Sequence, residues 1–225
     1  MCGRFAQNTK PQELAKQFQI QLRVGLEEFQ PRYNVAPSSR VSCIRVPIHE
    51  TKPVLEMLKW GLIPSWAKDP QIGFKLANAR AETLDTLPSF RPAFKARRCL
   101  VPIDGFYEWN QDTKPKQPSY FFMKNEEPFC LAGLWESWKH PDGGLIDTFT
   151  LVTTEPNAVV KPVCDRMPVI LDEKDFAFWL DPQNQDVEKL KKLLKPYPAD
   201  AMGGHAVSTY VSKAGNEGSV CITPL

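Results

Sequence analysis

Cys2 follows the initiator methionine in the opening Met1-Cys-Gly-Arg-Phe, and that position offers a reaction closed to the chain's other cysteines. Once Met1 is removed, a single residue carries both an α-amine and a thiol, with reference pKa values of about 8 and about 8.5. Both groups are then appreciably deprotonated near neutral pH. An aldehyde meeting such a 1,2-aminothiol condenses with the amine to an imine, the sulfur adds to the imine carbon, and a five-membered thiazolidine closes. Position alone is equally compatible with an inert cysteine, so the rest of the chain has to decide.

The remaining chemistry-bearing residues exclude several classes. The other cysteines (Cys43, Cys99, Cys130, Cys164 and Cys221) are scattered, with no C-x-x-C pair and no histidine at zinc-ligand spacing. Neither a metal nor a cofactor is therefore expected. Apolar runs such as Arg98-Cys-Leu-Val and Pro128-Phe-Cys-Leu-Ala suit buried free thiols. His49, His140 and His205 lie beside turn residues and are assigned to structure or solvent. With 28 Lys plus Arg against 26 Asp plus Glu, the net charge of +2 does not announce a polyanion partner, so any nucleic-acid site must be a local basic patch. There is no apolar run of membrane-spanning length and no signal-peptide core at the N-terminus, so no membrane association is expected. A reducing cytoplasm is the expected setting.

The elements that must position Cys2 are short, because 21 prolines interrupt both helices and ladders. Runs rich in β-branched and aromatic residues predict strands over 41–46, 54–60, 100–103, 106–109, 120–123, 129–135 and 148–153, mostly paired antiparallel. Helical spacing predicts helices over 11–18, opened by Pro11, over 173–180 and over 187–194. With 225 residues, 42% of them hydrophobic, one domain spanning 1–225 is expected. The fold class is α+β: antiparallel strands curled into a pseudo-barrel, with the helices packed outside it. Lys191 to Lys195 reads as a solvated helix face. Lys95, Arg97 and Arg98 read as a charged turn before a buried strand, with a path for a nucleic-acid strand as the alternative.

Six motifs stand in order along the chain. They are Met1-Cys-Gly-Arg-Phe, Arg32-Tyr-Asn-Val-Ala-Pro37, Trp60-Gly-Leu-Ile-Pro-Ser-Trp66, Asn78-Ala-Arg-Ala-Glu-Thr83, Arg98-Cys-Leu-Val-Pro-Ile-Asp-Gly-Phe-Tyr-Glu-Trp109 and Arg166-Met-Pro-Val-Ile-Leu171. With His205-Ala-Val-Ser as a C-terminal strand, the chain closely resembles the SRAP family of SOS response-associated peptidase-like, abasic-site processing proteins. The resemblance implies a protein that frees its own Cys2, binds single-stranded DNA and caps an abasic site as a thiazolidine, without an obligatory protein partner. Such a protein would be nucleoid-associated when bound. The Met-Cys-Gly opening is also similar to that of class II glutamine amidotransferases, whose N-terminal cysteine attacks an amide. So proline-broken a chain does not suggest their long sandwich of sheets. A non-covalent single-stranded DNA binder is the other alternative.

The resemblance also implies roles for single residues. Cys2 would bond the deoxyribose C1′, and Asn78 would hydrogen-bond near the amine and the opened sugar. Glu108 would be the acid-base carboxylate, a role that needs a carboxyl held close and tuned by its surroundings. Arg4, Arg80 and Arg166 resemble phosphate contacts. Pro37, Trp66 and Trp109 resemble residues that stack on or separate the flanking bases, and Thr153, with Thr154 as competitor, a hydroxyl for the sugar. The chain departs from the family at Cys164. There Val163-Cys-Asp-Arg-Met-Pro has a thiol where the family usually has the histidine thought to act in ring opening and crosslink reversal.

Overall fold

The computed structural model describes residues 2–23, 26 and 29–225. Its first half holds β1 (Phe5–Gln7), α1 (Pro11–Gln17), β2 (Gln21–Leu22), β3 (Arg32–Val35), β4 (Arg40–Arg45), β5 (Val54–Trp60), β6 (Asn78–Arg80), α2 (Arg91–Ala96), β7 (Arg98–Ile103) and β8 (Gly105–Trp109). Its second half holds β9 (Pro118–Met123), β10 (Phe129–Lys139), β11 (Leu145–Thr154), β12 (Met167–Pro168), β13 (Ile170–Leu171), α3 (Phe176–Leu180), α4 (Val187–Lys192) and β14 (Met202–Ala206). All seven expected strands form. Of the expected helices, 173–180 divides into a 3₁₀ turn over Glu173–Asp175 and α3.

Five strands close on themselves. β5, β4, β7, β10 and β11 pair antiparallel in that order. A parallel contact of β11 with β5, Phe149 opposite Trp60, shuts the ring. Beyond it β11 exchanges β5 for β6, which runs parallel with Asn78 opposite Leu151 and Arg80 opposite Thr153. The chain leaves β5 through Gly61, whose φ of 118° no L side chain adopts easily and whose N–H donates to Phe149 O at 2.8 Å. This is the expected curled pseudo-barrel with helices at its periphery.

Alternation along the strands explains how they are buried on both faces. On β10, Phe129, Leu131 and Trp135 join one core, while Cys130, Ala132 and Leu134 join another. The second core is the helix layer, where Leu14 of α1, Phe94 of α2, Trp179 of α3 and Leu190 of α4 pack against the barrel. The first core is shared with a five-stranded antiparallel sheet ordered β14-β9-β8-β1-β3, which contributes Phe5, Phe106, Phe121 and Met202. β7 runs almost directly into β8. Asp104 between them accepts the backbone N–H groups of Asn8 at 2.6 Å and Thr9 at 3.1 Å, tying the N-terminal segment to that junction. The C-terminal segment covers the outer side of this second sheet through Val207, Val211 and Cys221.

Candidate active site

Strand β8 decides where the carboxylate goes. Phe106 faces the shared core and Tyr107 the opposite layer, so the two-residue period returns Glu108 to the side of Phe106. Glu108 is accordingly 2% exposed, an inward-facing glutamate rather than a polar residue on an outer strand face. Cys2 belongs to the same core and has no exposed surface. Burial raises the Glu108 carboxyl above the ordinary carboxylate range, Asp165 adds to the rise, and a hydrogen bond with the Cys164 thiol opposes it. The Cys2 thiol is pushed far up by burial, then by the Glu108 charge and by Cys164. Cys2, Glu108 and Cys164 thus form one electrostatic unit, although they stand far apart along the chain.

Cys164 is nearly buried and follows a turn in which its N–H donates to Val160 O at 3.1 Å. From it a groove of about 630 Å³ opens between Asn110–Asp112 and the 155–165 segment, with Glu155, Lys161 and Asp165 in its walls. Asn78 starts β6 half-buried, and its Oδ1 is a buried acceptor with no partner among the described residues. An amide oxygen left so is ready for a donor on an incoming molecule. Thr153 is buried beside it on β11, its hydroxyl donating to Ala79 O at 3.4 Å. Thr154, the competing hydroxyl, points elsewhere and donates to Leu194 O at 3.3 Å.

The arginines separate by environment. Arg80 is exposed at the end of β6. Arg166 lies over Thr153, donating to its carbonyl at 2.7 Å, and forms a two-pronged pair with Glu82 at 2.6 and 3.0 Å. That pair holds the Glu82 carboxyl below its usual range. Arg4 is half-buried, donates to Asn34 Oδ1 at 2.6 Å and Val211 O at 2.9 Å, and stands 5.6 Å from the centroid of the Trp109 ring. Trp109 also donates its indole N–H to Ser212 Oγ at 2.9 Å, so Arg4 and Trp109 together clasp the C-terminal segment. Trp66 is 56% exposed in the 61–76 segment, and Pro37 sits half-buried in the turn joining β3 to β4.

The fold therefore gathers Cys2, Glu108 and Cys164 into one buried, electrostatically linked group, and places Arg166 over Thr153, with Arg80 opposite Thr153 and Asn78 opposite Leu151 across the β6–β11 ladder. It gives Arg4 and Trp109 intramolecular partners instead of open surface. The sequence reading missed Glu82 as the partner of Arg166, although it stands inside the Asn78 motif as a charged residue whose role was open. The basic cluster at 95–98 resolves as well. Arg98 is 1% exposed and donates to the carbonyls of Trp179 at 2.5 Å, Phe94 at 2.7 Å, Asn184 at 3.0 Å and Asp181, while Arg97 pairs with Glu136 at 2.7 Å. These are structural arginines. No group of three or more His, Cys, Asp or Glu residues that could hold a metal ion occurs among the described residues, and no helix among them is long and apolar enough to cross a membrane.

Comparison with known proteins agrees with this architecture. The family model for SOS response associated peptidase (SRAP) matches residues 1–214. A Bacillus subtilis (strain 168) protein named abasic site processing protein YoqW is 43% identical over 217 residues, 96% of each chain. The Gallus gallus protein named abasic site processing protein HMCES is 30% identical over 264 aligned positions, which cover 100% of this chain and 78% of that one. An X-ray structure of a Bacteroides thetaiotaomicron protein superposes with a TM-score of 0.89 at 26% identity, covering 100% of both chains. The closed ring of strands, the inward Glu108 behind Cys2 and a match over nearly the whole length have one explanation: the chain belongs to the SOS response associated peptidase (SRAP) family.

Proposed function

We propose that this protein processes abasic sites in single-stranded DNA, removing its own Met1 and joining Cys2 to the aldehyde form of the sugar as a thiazolidine. The observation that carries the reading is the buried pairing of Cys2 with an inward Glu108 whose carboxyl is raised by burial. A raised carboxyl keeps its proton to higher pH than an ordinary one and can give it to the ring oxygen as the sugar opens. The amine then adds to C1′, the hydroxyl leaves as water, and an imine remains. The Cys2 thiol, held protonated by burial and by Glu108, cannot precede the amine; it adds once the cationic imine stands beside it. Its proton passes to the Glu108 carboxylate, so carbon gains one nitrogen and one sulfur bond, and one water leaves. Asn78 Oδ1 would accept from the amine or the sugar hydroxyl, and Arg80, Arg166 and Trp66 would hold the strand.

A second reading, non-covalent binding of single-stranded DNA, draws on the thiol at position 164 where the family usually has histidine. An amide-hydrolysing N-terminal cysteine is the weaker alternative. The deciding experiment incubates protein whose Met1 removal has been checked by mass spectrometry with an oligonucleotide bearing one abasic site, beside Cys2→Ala. The expected result is a heat-resistant, denaturation-resistant band that needs Cys2 and weighs the sum of the partners minus water. Binding without any such band would favour the non-covalent reading.

A further inference from the structure

Phe74 is 68% exposed, more than Trp66, and no sequence motif accounts for it. Phe74 shares the 61–76 segment with the exposed Trp66, so two large aromatic side chains stand open on one stretch of chain. Its backbone is held firmly. A 3₁₀ turn over Pro70–Lys75 is capped by Asp69, whose carboxylate accepts Gln71 N–H at 2.9 Å, and Leu62 N–H donates to Leu76 O at 3.2 Å. A Cβ added at Gly73 would come within 2.8 Å of Gly61 O, so the turn lies directly on the chain leaving β5. Ile72 completes the anchor by packing on Ile63, Ala67 and Trp138. The next four residues lead to Asn78, so the Phe74 and Asn78 Cα atoms are within about 14 Å of each other.

The segment is also locally cationic. Lys68, Lys75 and Arg80 are exposed along it, against a single acidic side chain, Asp69, which is occupied in the cap. A rigid exposed ring with cations on either side suits a partner offering flat apolar faces strung on a regular anionic backbone, which is single-stranded nucleic acid. A hydrophobic protein partner would leave the three cations unused.

From this we infer that Phe74, with Lys68 and Lys75, forms a base-stacking platform that extends the strand path away from Asn78 and binds undamaged nucleotides flanking the lesion. The inference rests on the proposed single-stranded DNA reading, and it concerns the non-covalent contact only.

The test measures fluorescence-anisotropy affinity of full-length protein for an undamaged single-stranded oligonucleotide, for wild type, Phe74→Ala, Phe74→Trp and Leu145→Ala, the last an exposed apolar residue on the β10–β11 hairpin. Loss of one stacked base should weaken binding by about tenfold for Phe74→Ala, within the range for single stacking residues. Phe74→Trp should bind at least as well as wild type, and Leu145→Ala should match it. Equal affinity for Phe74→Ala and wild type overturns the platform, as does absence of wild-type binding. Crosslinking to an abasic oligonucleotide, run in parallel, separates the two ideas. A Cys2-dependent band with unchanged Phe74→Ala affinity removes the platform and leaves the covalent chemistry standing; weakened Phe74→Ala binding with no band does the reverse.

Discussion

Glu108 is a carboxyl held where a carboxylate is disfavoured, and two measurable consequences follow from the direction of that shift. The unfolded chain holds this side chain at the ordinary carboxylate value, whereas burial raises it in the fold. The folded state therefore binds the proton more tightly, and stability falls as pH rises from the unfolded value through the folded one. At any pH above the unfolded value, neutral pH included, the group is therefore a net burden on the fold. Glu108→Gln should accordingly raise the melting temperature at pH 7 by a few degrees, since about 1 kcal/mol moves a chain of this size by about 2–4 °C. The same change should slow crosslinking by about 100-fold, the usual worth of a positioned proton donor. Calorimetry and a timed denaturing gel on one preparation check both; a variant both less stable and equally active would contradict the assigned role. Cys164 enters with the opposite sign, because its hydrogen bond lowers the Glu108 carboxyl. Cys164→Ala should move the alkaline limb of the crosslinking rate to higher pH. Cys164→His, which supplies an imidazole that titrates near neutrality, should crosslink faster than wild type.

At the scale of elements, the strand β7 is anchored by a charge. Arg98 supplies donors to four backbone carbonyls, that of Phe94 in α2 and those of Trp179, Asp181 and Asn184 at and beyond the end of α3, and has its guanidinium 5.9 Å from the centroid of the Trp179 ring. Burial lowers its pKa to about 10, which leaves it charged at neutral pH. Arg98→Ala should cost about 3 kcal/mol or more, because several buried acceptors lose their partner together, and urea denaturation measures it. The same residue shows where the sequence was legible and where it was not. Strand β5 matches its expected bounds because its apolar run is ended by Pro53 and Gly61. β7 begins two residues before the expected Leu100 because three of the four acceptors that make a buried arginine tolerable come from the end of α3 and the residues after it, remote in sequence. The three-residue β1 and β6, and the two-residue β12, are too short to carry a period, yet they hold the segment after Cys2, Asn78 and the approach to Arg166. At the site, Cys2 and Glu108 were legible from position and motif. The inward direction of Glu108 depended on the register of β8, and the Arg166–Glu82 pair on how loops far apart in the chain meet.

For the molecule as a whole, charge is the quantity that decides how it can hold a polyanion. The net charge is only +2, and the groove beside Cys164 has Asp112, Glu155 and Asp165 in its walls. Arg4 is engaged with Asn34 and the C-terminal segment, and Arg166 with Glu82. Among the exposed cations, Lys68, Lys75 and Arg80 lie together along the segment leading to and through β6, and Lys161 stands in the groove wall. Each phosphate neutralised on a single strand contributes about −0.7 to the slope of log affinity against log salt, so three contacts predict a slope of about −2 for an undamaged oligonucleotide. A slope near −4 or steeper would mean that further cations, such as Lys161 or a half-buried Arg4 or Arg166 released from its partner, join on binding. Glu82→Gln discriminates further. It weakens the intramolecular hold on Arg166 without removing the arginine, so if Arg166 meets a phosphate the slope should steepen by about 0.7 and affinity at low salt should rise. Unchanged slope and affinity would assign Arg166 to bracing Thr153 and the end of β11, leaving the exposed segment around Arg80 as the strand's principal electrostatic contact.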